Sequence, residues 1–250
     1  MLAIDGLTVR FGGLTALEDV SLHAADGEVL GLIGPNGSGK TTLINALTGV
    51  YPATGRVCFR GEDLLGLPPE RIVRLGLVRT FQNLRVFRRM TVLENVLAAQ
   101  NGMTGMRFAD LIGGRRRDGR RRERAHELVE QVGLGSDADR LAGTLPLASQ
   151  RRLELARALV RDPALLLLDE PSGGMTPAET REMTGLIARL ACPGRTVIVV
   201  EHKMALITGL CTRLAVLNFG RLIAEGAPAE VLRRPAVVEA YLGTETPVDA

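Results

Sequence analysis

Cysteine is scarce in this chain of 250 residues, and long hydrophobic runs are absent. Its three cysteines, Cys58, Cys192 and Cys211, are widely spaced and form no metal-binding or redox pattern, which fits a reducing cytosol. The longest apolar runs, such as 164–168, are far too short to cross a bilayer. Residues 1–5 do not resemble the basic start of a secretory signal, so we expect no signal peptide.

Excess positive charge is small and is concentrated in one segment. The net charge is +3, while residues 115–124 hold seven arginines and two acidic residues, a charge of +5 that leaves −2 for the rest of the chain. We therefore expect no nucleic-acid partner, because such proteins present a broad basic surface. The segment is either the solvated start of a helix that continues to Val132, or a contact for anionic lipid head groups or an acidic partner.

A glycine-rich segment is the most informative motif, because it lies between an apolar run and a helical pattern. It has the form G-x-x-x-x-G-K-[ST] and consists of Gly34, Pro35, Asn36, Gly37, Ser38, Gly39, Lys40, Thr41 and Thr42. Its glycines let backbone N–H groups approach a phosphate at the start of the following helix. Lys40 would add a positive charge for the β- and γ-phosphates, and the Thr41 hydroxyl can ligate Mg²⁺. The sequence therefore predicts a nucleoside-triphosphate site.

Two acidic residues follow a run of four leucines, which is typical of a strand buried on both faces. Ligands of open α/β sheets lie outside the carboxyl ends of the strands, and these residues are expected there. Asp169 would hold the Mg²⁺ shell beside Thr41, and Glu170 would polarise the attacking water. His202 follows another apolar run, 196–200, and is expected at the same edge. Gln82 precedes the helical part of the chain, and its amide can reach Mg²⁺ or the water.

Patterning along the chain predicts one α/β domain over residues 1–243. Residues 1–83 and 163–243 would form a parallel-sheet core with an N-terminal β subdomain, residues 84–162 an inserted helical subdomain, and residues 244–250 a tail. Thr91 and Glu94 form a capping-box pattern at the start of a helix. The sequence also predicts strands at 2–9, 17–24, 55–60, 164–168 and 196–200, and helices at 68–75, 150–160 and 178–190.

The order of these motifs resembles that of the ATP-binding-cassette (ABC) ATPases over nearly the whole chain. Within that family the sequence is most similar to the ATP-binding subunits of branched-chain amino-acid importers. The strings that carry the closer resemblance are Phe11–Leu14, Arg79–Asn83, Thr91–Val96, Glu201–Met204 and Glu239–Gly243. The resemblance implies a P-loop NTPase fold, ATP and Mg²⁺ as cofactors, and ATP hydrolysis that drives a membrane importer.

The same resemblance implies partners and a location. These are integral-membrane permease subunits, a second ATPase subunit that is the same chain or a different one and sandwiches ATP, and indirectly an external solute-binding protein. The subunit would lie on the cytoplasmic face of the membrane. Alternatives are ATPases of urea, amide or lipopolysaccharide transporters. A soluble cassette ATPase is less favoured, because the chain has one phosphate loop and no sustained heptads, and the intact acidic residues disfavour a non-catalytic regulator.

Further site residues follow from the resemblance alone. Phe11 would stack on adenine, and His202 would donate to a γ-phosphate oxygen. The family's signature loop, L-S-G-G-Q, acts in trans on the partner's nucleotide and aligns here with altered residues: Leu145, Pro146, Leu147, Ala148 and Ser149, followed by Gln150. We expect Ser149 to cap a helix that begins near Gln150, and the site facing this loop to be the weaker one. Thr176 replaces a residue that links the two sites and would cap the next helix before Pro177.

Overall fold

The computed structural model describes residues 1–82, 84–101 and 114–242, without the side chains of residues 101 and 114–118. The predicted tail 244–250, residues 102–113 of the predicted helical insertion and the side chains at 115–118 of the arginine-rich segment lie outside the described residues. In the part of the chain that is described, no helix is long and apolar enough to cross a membrane.

Ten strands and nine α-helices are described in these ranges. The strands are β1 (Leu2–Phe11), β2 (Leu14–Ala24), β3 (Val29–Ile33), β4 (Thr54–Phe59), β5 (Glu62–Asp63), β6 (Leu77–Arg79), β7 (Leu165–Asp169), β8 (Thr196–Val200), β9 (Arg213–Asn218) and β10 (Arg221–Gly226). The helices are α1 (Lys40–Leu47), α2 (Pro69–Arg74), α3 (Val92–Asn101), α4 (Gly114–Gln131), α5 (Leu147–Leu159), α6 (Pro177–Leu190), α7 (Met204–Leu210), α8 (Pro228–Val231) and α9 (Pro235–Leu242).

A six-stranded sheet in the order β10-β9-β3-β8-β7-β6 forms the centre of the fold. Its strands pair in parallel except for β10, which is antiparallel to β9. Every residue of β3, β7 and β8 is buried, because both faces of the sheet are covered. Since β8 lies between β3 and β7, the carboxyl ends of these three strands meet at one edge, as the sequence predicts.

A second, antiparallel sheet in the order β2-β1-β4-β5 covers one face of the first. Its apolar residues share a core with α1 and with alternate residues of β3, β7 and β8, such as Leu32, Leu167 and Ile198. Other apolar residues of those strands, such as Ile33, Leu168 and Val199, face a core that α3–α7 contribute to. The predicted N-terminal β subdomain is therefore present. Strand β1 continues to Phe11 and strand β2 already begins at Leu14, so both strands are longer than predicted.

Helices α3, α4 and α5 come between β6 and β7, where the helical insertion is expected; its limits at 84 and 162 stay predictions. The capping box at the start of α3 is confirmed, since the Glu94 N–H donates to Thr91 Oγ1 at 3.1 Å and the Thr91 N–H to Glu94 Oε2 at 2.8 Å. A second capping box joins Thr176 and Glu179, with Pro177 as the first residue of α6, as expected.

One helix boundary differs from the prediction. Helix α5 begins at Leu147 after an N-cap at Pro146, not near Gln150, and Ser149 lies within its first turn rather than at the N-cap. Proline has no N–H to leave unsatisfied at this position, and its carbonyl accepts from the Gln150 N–H at 3.0 Å. The Gln150 side chain donates to the Leu145 carbonyl at 2.8 Å and fixes the approach to the helix. The prediction for Ser149 was therefore wrong.

Candidate nucleotide-binding site

The glycine-rich segment forms a tight loop between β3 and α1, as the motif predicts. Gly34, Gly37 and Gly39 have φ of 150°, 77° and 108°, in the region that side chains disfavour. A Cβ on Gly34 would overlap the Leu217 carbonyl oxygen, and one on Gly39 would lie 2.7 Å from Leu17 Cδ2. The loop therefore fits only without these side chains, and it presents the first N–H groups of α1 to an anion.

A cavity of about 370 Å³ lies over this loop. Its lining combines the phosphate loop with groups from other strand ends: Leu14, Thr15, Ala16, Asn36, Gly37, Ser38, Gly39, Lys40, Thr41, Thr42, Gln82, Glu170, Val200, His202, Phe219 and Gly220. Seven of the predicted loop residues and the three predicted catalytic residues, Gln82, Glu170 and His202, thus surround one space. The turn at Phe219 and Gly220 was not predicted as part of it, and no local motif marks it.

Lys40 lies at the centre of the loop and is 6% exposed. Its ammonium donates to the carbonyls of Gly34 and Pro35, both at 2.8 Å, and to Ser38 Oγ at 3.3 Å. Burial lowers the pKa of Lys40, and the charges of Glu170 and Asp169 oppose that shift. A compact cation is therefore held among oxygen acceptors of the loop.

Asp169, the last residue of β7, lies below the cavity rather than in its lining. Its side chain is 2% exposed, and Oδ2 accepts from Arg79 Nη2 at 3.2 Å. Burial raises the pKa of Asp169, and the Arg79 guanidinium opposes this rise. Arg79 was not among the predicted site residues, because its contact depends on the pairing of β6 with β7.

Glu170 and His202 are brought together by the neighbouring strands β7 and β8. His202 Nε2 lies 3.0 Å from Glu170 Oε1, within hydrogen-bond distance. Glu170 has a φ of 48°, which is uncommon for a residue with a side chain, and its N–H donates to the Val200 carbonyl at 2.8 Å. The backbone thus turns sharply after β7 and directs the carboxylate to the cavity.

Gln82 is exposed, and its main chain is fixed by α5. Arg151 donates to the carbonyl of Gln82 at 2.8 Å and to that of Phe81 at 3.2 Å, and it pairs with Glu154 at 3.2 Å. This buried network anchors the segment that carries the Gln82 amide into the cavity. The predicted position of Gln82, between the core and the helices, agrees with this placement.

Phe11 ends β1 and is 42% exposed, but it is not part of the cavity lining. Its ring packs edge-on against Tyr51, with centroids 5.0 Å apart. The six residues of the signature segment, 145–150, are also absent from the lining. They surround the start of α5, where Pro146 and Leu147 are exposed.

The side chains around Lys40 offer oxygen ligands of the kind that Mg²⁺ prefers. The Thr41 hydroxyl and the Gln82 amide line the same cavity as Glu170, and the Asp169 carboxylate lies below it. Among the described residues no group of three or more His, Cys, Asp or Glu side chains forms a metal cage. Few protein ligands suit Mg²⁺, which keeps several waters and binds together with phosphates. The donor set therefore fits this ion.

Two family models match the sequence. The sequence model of the ABC transporter family matches residues 17–173, and that of the branched-chain amino acid ATP-binding cassette transporters matches residues 221–246. The chain is 45% identical to the high-affinity branched-chain amino acid transport ATP-binding protein LivG of Salmonella typhimurium, over 97% of this chain and 98% of that protein.

Solved structures share the whole fold. The ADP conformation of MJ1267, an ATP-binding cassette of an ABC transporter, superposes with a TM-score of 0.85 at 33% identity, covering 97% of this chain and 98% of the other. A dimeric post-hydrolysis state of the cassette MJ0796, bound to ADP and phosphate, gives a TM-score of 0.77 at 25% identity, covering 91% and 98% of the two chains. The predicted fold class is thus confirmed.

Proposed function

Because the chain belongs to the ABC transporter family, we propose that it is the ATP-hydrolysing subunit of an importer, with branched-chain amino acids as the transported substrates. The observation that carries this proposal is the convergence of Lys40, Gln82, Glu170 and His202 on one cavity at the edge of the parallel sheet. The 45% identity to LivG over 97% of the chain supports the substrate class. Importers of urea or short amides remain the alternative for the substrate.

ATP would bind with its β- and γ-phosphates against the loop amides and Lys40. Glu170 accepts a proton from the attacking water, and His202, held 3.0 Å from Glu170, donates to the γ-phosphate. Thr41 and Gln82, with Asp169 below them, would hold Mg²⁺, which neutralises developing charge on the phosphate oxygens. Phe11 would stack on adenine from the end of β1.

A second cassette, either the same chain or a different one, would complete the site in trans. The start of α5 presents its free N–H groups and the positive end of its dipole, which suit an anion. Pro146 supplies no side-chain hydroxyl there, so contact with the partner's phosphate would rest on main-chain N–H groups. The site served by this segment would then be the weaker of the two.

Permease subunits would contact a second cavity, of about 350 Å³, between β6, α2, α3 and α5. Its wall contains Phe81 and Phe87, each with a guanidinium over its ring: Arg85 lies 4.3 Å from the Phe81 centroid and Arg157 5.0 Å from that of Phe87. Arginines outnumber the single acidic residue of the lining, Glu154. We assign this cavity to a permease segment that carries an acidic side chain and lies at the inner face of the membrane. A solute-binding protein would act on the outer side of the same membrane.

Glu170→Gln in the complex with co-purified permease tests the proposal. Loss of the proton acceptor should lower ATP hydrolysis by about 10²–10⁴-fold while ATP binding persists and the ATP-bound dimer accumulates. Glu230→Gln, on the exposed side of α8, is the matched control and should hydrolyse ATP at the parent rate. Full activity of Glu170→Gln would contradict the assigned role.

The substrate is tested in the same complex with its solute-binding protein. Leucine, isoleucine or valine should stimulate ATP hydrolysis, whereas urea should not. Stimulation by urea alone would retain the ATPase assignment and replace the substrate.

A further inference from the structure

The loop between β7 and α6, residues 171–176, is held from below by the residues that follow β8. Glu201 is 3% exposed, and its Oε2 accepts from the Ser172 N–H at 3.2 Å and from Ser172 Oγ at 2.9 Å. Its Oε1 accepts from the N–H groups of His202 and Lys203, at 3.0 and 3.2 Å. One buried carboxylate therefore joins the two loops that carry Glu170 and His202.

Lys203 binds the carbonyl groups of the same loop. Its ammonium donates to the carbonyls of Ser172 at 2.9 Å and Met175 at 2.7 Å, and to Thr180 Oγ1 at 3.1 Å. The three donors of the ammonium thus have three oxygen acceptors, none of which is a carboxylate. Two of these oxygens are main-chain carbonyls three residues apart, so Lys203 sets the curvature of the loop.

The composition of the chain gives independent support for a special role of this ammonium. Only two of the 31 basic residues are lysines, Lys40 and Lys203, and all the others are arginines. Lys40 also has three oxygen acceptors, two of them carbonyls of the phosphate loop. Lysine therefore occurs only where a compact ammonium lies among several oxygens, a place that the wider, planar guanidinium does not fit.

The opposite side of the loop packs against the start of α5. A Cβ on Gly173 would lie 3.1 Å from Arg151 Nη2, and one on Gly174, where φ is 76°, would lie 2.7 Å from Leu147 Cδ2. Leu147 belongs to the segment proposed to serve the partner's nucleotide. The loop is therefore bonded on one side to Glu201 and Lys203, which adjoin His202. On its other side, Gly173 and Gly174 pack against the start of α5.

We infer that Glu201 and Lys203 are positioning residues that make the loop at 171–176 a rigid connection between this chain's own ATP site and the segment that acts on its partner's ATP. The inference rests on the proposed function, since it assumes that ATP binds near Glu170 and His202. A shift of His202 on ATP binding would move Glu201 and Lys203, because they are its chain neighbours. The loop would follow them through the hydrogen bonds to Ser172 and Met175 and would press on Leu147.

Hydrogen exchange of the purified full chain, measured by mass spectrometry with and without Mg²⁺–ATP, tests this inference. In Lys203→Met two carbonyls and a hydroxyl lose their donor, so amides at 171–176 should exchange at least tenfold faster without nucleotide. In the parent protein ATP should slow exchange at 34–42, at 171–176 and at 147–151. In the variant the response at 34–42 should remain, and the response at 147–151 should be lost.

Three further variants make the result decisive. Lys203→Arg, which keeps the charge but not the shape, should restore only part of the protection. Glu201→Gln should accelerate exchange at 171–176 as well, and Arg233→Met, which removes an exposed cation, should change neither region. Parent-like exchange at 171–176 in both Lys203→Met and Glu201→Gln would overturn the inference. Absence of ATP protection at 34–42 in the parent protein would instead contradict the proposed function, while the nucleotide-free comparison still tests the loop.

Discussion

The ion pair between Arg79 and Asp169 leads to a quantitative prediction, because both side chains are removed from water. They are 10% and 2% exposed, and Nη2 and Oδ2 are 3.2 Å apart. The other terminal nitrogen of Arg79 donates to Asn45 Oδ1 at 2.5 Å and to Thr48 Oγ1 at 3.4 Å. Burial lowers the pKa of Arg79 and raises that of Asp169, so each charge depends on the other. Such a pair adds little net stability, but loss of one partner is costly.

Arg79→Met should lower the free energy of unfolding by about 3–5 kcal/mol, the usual cost of leaving one buried charge unpaired. For a chain of this size that corresponds to a fall in Tm of roughly 10 °C. In the double variant Arg79→Met/Asp169→Asn the unpaired carboxylate is absent. The double variant should therefore be more stable than the sum of the single effects predicts, by about 2 kcal/mol.

The assay is thermal and urea unfolding of the parent, both single variants and the double variant, in EDTA and without nucleotide. Arg74→Met, at the exposed end of α2, is the control for loss of an arginine and should stay within about 0.5 kcal/mol of the parent. Strictly additive single effects would refute the argument that each charge is retained by the other. Parent-like stability of Arg79→Met would refute it as well.

Two further predictions concern other parts of the molecule. Restoring the family's residues with Pro146→Ser and Ala148→Gly should raise the ATP turnover of the assembled complex, measured by phosphate release; an unchanged rate would remove the idea that this segment weakens the site it serves. Arg213 lowers the pKa of Glu28 by a hydrogen bond, a shift that burial opposes only in part. The stability gained from Glu28 is therefore present above its unfolded pKa near 4.5 and lost as pH falls through the lower folded value. The free energy of unfolding of Glu28→Gln should be lower than that of the parent at pH 7, and the difference should close as pH falls below 4.5 and through the lower folded pKa. A difference independent of pH would contradict the assigned cause.

The phosphate loop and the residues at the strand ends could be predicted because their signals are local. A run of four leucines predicts a buried strand, and the polar residue after it must lie at the end of that strand. Parallel pairing then brings the ends of β3, β7 and β8 together without any further information. The contact of Arg79 with Asp169 needs the register of β6 on β7, in which Arg79 pairs with Leu167. No sequence pattern specifies that register for a three-residue strand.

The region after β8 was assigned no secondary structure from the sequence, and the reason is length. Helices α7, α8 and α9 have seven, four and eight residues. Hydrophobic periodicity becomes informative only over windows of about 11–18 residues. The roles of Glu201 and Lys203 were missed for a related reason, since their acceptors and donors lie about 20–30 residues away in the chain.

The start of α5 shows how an altered signature segment can keep part of its chemistry. The sequence predicts Ser149 at the N-cap because serine is favoured there. With the N-cap at Pro146, Ser149 is in the first turn and its hydroxyl is not needed as a cap. The N–H groups of Leu147, Ala148 and Ser149 all lie in this first turn, where no intrahelical acceptor exists. In the proposed function, main-chain donors would therefore take the place of the side-chain hydroxyl that Pro146 removes, next to the exposed residues Pro146 and Leu147.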